Sequence, residues 1–125
     1  STKEVQEMIR NDIEKHPQFV ISGVTMNWDE DILSVIDVAF ILEVPAQERV
    51  KRVQHREEVR FGSRVMSGGD MYEQQKAFRD IIANRSNERV DESADRLQCK
   101  KVRLDGTKSI EESIGCIMDI LEELL

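Results

Sequence analysis

Apolar residues near the start of the chain recur at helical spacing, with Val5, Met8, Ile9 and Ile13 on one face, so residues 1–16 are expected to form an amphipathic helix. Ser1 and Glu4 stand at the capping-box offset, and Pro17 ends the pattern. The short run Phe19-Val20-Ile21-Ser22-Gly23 fits a buried strand ended by glycine. A short helix is expected over 27–34, where Asn27 and Glu30 repeat the capping offset. Residues 35–44 are almost continuously apolar, as in a strand covered on both faces, and Pro45 is placed to open a helix over 46–60. A glycine-rich loop over 61–69 leads to a helix over 70–84, with Asp70 and Glu73 at its start. A weaker, polar helix is expected within 85–98 and a third strand over 101–105. Ser109 and Glu112 then cap a final helix whose apolar stripe runs through Ile110, Ile114, Ile117, Ile120, Leu121 and Leu124. Strands alternating with helices predict an α/β domain with a parallel sheet of about three strands.

Composition narrows the class. A chain of 125 residues supports one domain with a modest core. Its net charge of −7 argues against a general nucleic-acid binder, which needs a basic face, and no apolar run approaches a membrane span. Cys99 and Cys116 have neither metal-ligand spacing nor a disulfide framework, so both are read as small, partly buried residues in a reducing cytoplasm, and no metal site is assigned. His16 is expected at a helix end, His55 in solvent and Trp28 as a helix-start or core anchor.

The charge is unevenly placed. Residues 49–64 hold six basic and two acidic side chains within an acidic chain, and Arg52, Arg56 and Arg60 recur every four residues along one helix face. Arginine binds phosphate oxygens in pairs, and several together neutralise a polyphosphate. A solvated face with Glu–Arg pairs accounts for the charges alone. Phe61-Gly62 and Ser67-Gly68-Gly69 on either side of Arg64 favour the other reading, a hinged lid over phosphates within a helical region spanning 46–84.

The succession of the strand over 37–44, Pro45 and Arg52-Val-Gln-His-Arg56 resembles the strand and lid helix of P-loop nucleotide and nucleoside kinases. Leu104-Asp105-Gly106-Thr107-Lys108-Ser109 resembles their last strand and the loop passing the adenine ring, and residues 19–23 resemble their third strand. The run from Phe61 to Glu73 is similar to a bacterial subgroup of uncharacterised kinase-like ATPases. The resemblance spans essentially the whole chain. It implies a three-layer P-loop fold, ATP with Mg2+ in the intact protein, and phosphoryl transfer to a small acceptor. Arg52 and Arg56 are the phosphate contacts it implies, while Gly106 and Thr107 would meet adenine through the backbone. Arg60 and Arg64 are added as further phosphate contacts from their spacing and lid position. Glu43 resembles an acid ending a Walker-B-type strand, though a strand end alone explains it.

A phosphate-binding loop, Gly-x-x-x-x-Gly-Lys-[Ser/Thr], is missing, because none of the six glycines precedes a lysine. The strand entering that loop lies mid-sheet in these kinases, so the fold class implied is an incomplete P-loop sheet. The chain is therefore expected to be the C-terminal portion of a longer kinase, with self-association through unpaired strand edges or rearrangement into a compact module as alternatives. By itself it is expected to bind ATP weakly or not at all and to lack catalysis. The rival reading is a non-catalytic module whose basic face docks an acidic or phosphorylated partner.

Overall fold

The computed structural model describes residues 2–124. Among them, six helices and a two-stranded parallel sheet make a mixed α/β architecture. In chain order the elements are α1 (Thr2–Lys15), α2 (Glu30–Leu33), β1 (Val38–Glu43), α3 (Ala46–Phe61), a 3-10 turn (Gly62–Val65), α4 (Tyr72–Asn84), α5 (Glu88–Asp95), β2 (Lys100–Asp105) and α6 (Ile110–Leu124). The chain forms two compact units, residues 1–41 with 87–102 and residues 42–86 with 103–125.

In the first unit, α1 ends at Lys15, two residues before Pro17, and packs against α2. Arg10 fixes this contact, donating to Asp29 at 2.7 Å and to both Asp31 oxygens at 2.7 and 3.1 Å. The Arg10 guanidinium holds the Asp31 carboxyl below the usual carboxylate range. The expected Asn27–Glu30 capping box is absent: α2 starts after Asp29, whose carboxylate faces Arg10 and makes no cap bond. Gln6, buried on α1, accepts the Asp29 backbone N–H at 2.7 Å. From α5, Ser93 Oγ accepts the Met26 N–H at 2.6 Å, beside buried Ala94 and Leu97. The Ser1 half of the first expected capping box lies outside the described residues.

Residues 19–23 belong to no strand. Val20 is 96% exposed, whereas a strand needs a hydrogen-bonded neighbour and a covered face, so this apolar run stays irregular. The sheet therefore holds two strands where about three were expected. In the second unit the Ser109 half of the expected box does form. Ser109 Oγ accepts the Glu112 N–H at 3.1 Å and donates to the Glu112 carboxylate at 3.2 Å. The apolar stripe of α6 is less covered than its periodicity implies: no α6 residue is buried, and Ile110 is 79% exposed. Cys99 is half-buried and Cys116 exposed, so the expectation of partial burial fails for Cys116. Among the described residues no helix is long and apolar enough to cross a membrane.

Candidate functional site

The candidate site is built within the second unit on α3, α4 and the turn after β2. Pro45 precedes α3, and its carbonyl accepts the Arg49 N–H at 3.0 Å, so the helix starts where its ring can be tolerated. Val53 and Glu57, four apart, form the buried face of α3, and this places Arg52, Arg56 and Arg60 on an adjoining exposed face. The repeat expected for these arginines is thus realised on a formed helix.

The three differ in what they touch. Arg52 Nη2 donates to the Gly106 carbonyl at 2.6 Å, and its Nε lies 3.6 Å from Glu48. Arg60 lies over Phe61 with its guanidinium carbon 5.3 Å from the ring centre, and its side chain is exposed. Arg56 makes no ion pair among the described residues. Arg64, in the 3-10 turn, is held by Asp70 through Nε at 3.0 Å and Nη2 at 2.9 Å. This pair lowers the Asp70 carboxyl and raises the Arg64 guanidinium. It also corrects the expected helix start: Asp70 binds Arg64 and caps nothing, and α4 begins at Tyr72 without a side-chain cap. Met71 N–H to the Arg64 carbonyl, at 2.9 Å, closes the loop.

Gly106 and Thr107 form a tight turn at the end of β2. Gly106 is buried, and its N–H donates to the Glu43 carbonyl at 2.8 Å. The Asp105 carboxylate accepts the Thr107 hydroxyl at 2.6 Å and the Thr107 N–H at 2.9 Å, and the two bonds keep its carboxyl below the usual range. Of the backbone expected to approach a base, the Gly106 N–H is thus held by β1, the Thr107 N–H by Asp105 and the Gly106 carbonyl by Arg52. What remains for a base is the outer surface of the turn. A Cβ at Gly106 would run into the Val44 side chain and lie 3.1 Å from the Glu43 carbonyl. Gly106→Ala is expected to lower unfolding free energy by about 1–3 kcal/mol in urea denaturation.

Glu43 ends β1, and Arg103 Nη1 binds its carboxylate at 2.5 Å. Sequence reasoning missed this pair, and also the one between Glu57 and Arg79. Glu57 is 6% exposed and binds Arg79 Nη1 through Oε2 at 2.5 Å, joining α3 to α4. Near the other end of the helices, Arg49 Nη2 donates to the Arg85 carbonyl at 2.9 Å, so the two run antiparallel. The signal for Glu57 was its place four residues after Val53, which puts it on the inward face. Arg52, Arg56 and Arg60 are all exposed on α3, and none of them lines the surface depressions at Asp80, Ile81, Asn84 and Arg85 or beside α1.

No protein-family profile and no solved structure matches the chain. It is similar to YqaC, an uncharacterised protein of Bacillus subtilis (strain 168), with 25% identity over 126 residues, covering 94% of this chain and 71% of YqaC.

Proposed function

We propose that the chain carries the lid side of an ATP-using, P-loop kinase-like site in a cytoplasmic protein that transfers a phosphoryl group to a small acceptor of the nucleoside or nucleotide kind. One observation carries the reading: Arg52 and Gly106, singled out from motifs 54 positions apart, meet at 2.6 Å. That contact puts the start of the arginine face beside the turn expected to pass the base. Arg56 and Arg60 have exposed side chains whose N–H groups suit phosphate oxygens, and charge stabilisation of this kind dominates phosphoryl transfer. Arg64 would join them after exchanging Asp70, an exposed pair of small worth. The residues present suit a triphosphate better than its metal, because Arg103 occupies the Glu43 carboxylate. When bound, Mg2+ would supply positive charge against the phosphate oxygens. The lysine and backbone cradle of a phosphate-binding loop are absent from this sequence, so the chain alone is expected to bind weakly and not to catalyse.

The test is a titration of the full chain, followed by NMR, with ATP, pyrophosphate and sulfate. ATP is expected to bind in the millimolar range, near −4 kcal/mol, and more tightly than pyrophosphate. Arg56→Ala should weaken both about fivefold, the effect of one exposed charge contact worth about 1 kcal/mol. ATP and pyrophosphate binding equally would sink the nucleotide reading. That outcome would favour a module docking an acidic or phosphorylated partner, which the exposure of Arg56 and Arg60 also suits.

A further inference from the structure

We infer that Arg52 is a positioning residue for the 105–107 turn and not a phosphate ligand, so that the base end of the site depends on the lid helix. This rests on the nucleotide reading above and gives Arg52 a task separate from that of Arg56 and Arg60. Nη2 already donates to the Gly106 carbonyl at 2.6 Å, and Nε lies 3.6 Å from the Glu48 carboxylate, an ion pair without a hydrogen bond. Paired binding of phosphate oxygens uses two neighbouring N–H groups along one edge, and the N–H that Nη2 gives to Gly106 takes one of the group's two such edges. The Glu48 carboxylate also offsets the charge that phosphate would seek.

The turn is held from two sides. Glu43 of β1 accepts the Gly106 N–H at 2.8 Å, and Arg52 of α3 donates to the carbonyl of the same residue. Close packing of Gly106 against Val44 removes slack on the β1 side. Displacement of α3 therefore either drags the Gly106 carbonyl or breaks its bond to Arg52. In the first case the outer surface of the turn, the part left for a base, is reoriented; in the second it loses its support from α3. Phosphate contact by Arg56 and Arg60 needs no such link.

The full chain, titrated with ATP and with inorganic pyrophosphate, separates the two tasks. Arg52→Ala is expected to weaken ATP about fivefold and to change pyrophosphate by less than about twofold, so that the preference for ATP disappears. Arg56→Ala, as a comparison, should weaken both and keep the preference. Equal losses for the two probes in Arg52→Ala, or no change in either, would overturn the assignment while leaving the nucleotide reading standing. Equal binding of ATP and pyrophosphate by the unaltered chain would overturn both. The unaltered chain supplies a second readout that needs no variant to fold. Adenosine should shift the Arg52 Nε–H signal and pyrophosphate should not; a pyrophosphate shift at Arg52 as large as at Arg56 would refute the role.

Discussion

Arg79→Ala is expected to lower unfolding free energy by about 3–5 kcal/mol, the cost of leaving a buried charge without its partner. Glu57 is 6% exposed, and Arg79 holds Oε2 at 2.5 Å while Oε1 has no hydrogen-bond partner. Truncating Arg79 leaves neither oxygen bonded in a place water does not reach. Since ordinary domains have about 5–15 kcal/mol in total, the variant should lose a large part of its stability. Urea denaturation followed by circular dichroism measures it, as a lower midpoint with a similar slope. Replacing both residues together by leucine is the informative control. It removes two charges and strands none, so its stability should lie near that of the unaltered chain or above it. A loss in the double variant as large as in Arg79→Ala would show that packing, and not the stranded charge, sets the cost.

Gly69→Ala is expected to cost about 3 kcal/mol, at the upper end for added bulk, by the same measurement. A Cβ there would overlap the Arg64 carbonyl group and the Ser63 carbonyl oxygen, all main chain, so no side chain can turn aside to make room. The Gly69 N–H also donates to Met66 at 2.8 Å, and Met71 N–H donates to the same Arg64 carbonyl. Relief of the overlap thus breaks the loop closure and pulls Arg64 away from Asp70. Gly68 makes a useful comparison: a Cβ there meets nothing, and the penalty arises from its φ of +86° alone, about 1–2 kcal/mol. A cost at Gly69 no greater than at Gly68 would show that the loop adjusts freely.

Local signals were legible in the sequence where they depend on neighbours along the chain. Pro45 marked the start of α3, the four-residue arginine repeat gave an exposed face, and Ser109 with Glu112 formed its cap. Failures came where a distant group competed for the same atoms. Asp70 had the spacing of a helix cap, but Arg64 offers it a bidentate, charge-assisted partner. The run 19–23 has strand composition, yet composition does not supply a neighbouring strand. The candidate site followed the same rule. Each half of the Arg52–Gly106 contact was visible as a motif, while their meeting depends on packing between residues 54 positions apart. Glu57 sat among surface charges in the sequence, and its burial follows from α4 lying against that face.

The ionic join between α3 and α4 has a further consequence for motion. A substitution strands a charge in the interior, but parting the two helices returns the Glu57 carboxylate and the Arg79 guanidinium to water together. Rehydration offsets much of the attraction that is lost. What parting costs at this seam is then set mainly by the hydrocarbon beside the pair, Val53 on the same face of α3, and that share should carry the heat-capacity change of separation. The pair that tolerates mutation least thus adds little to the resistance of the two helices to opening.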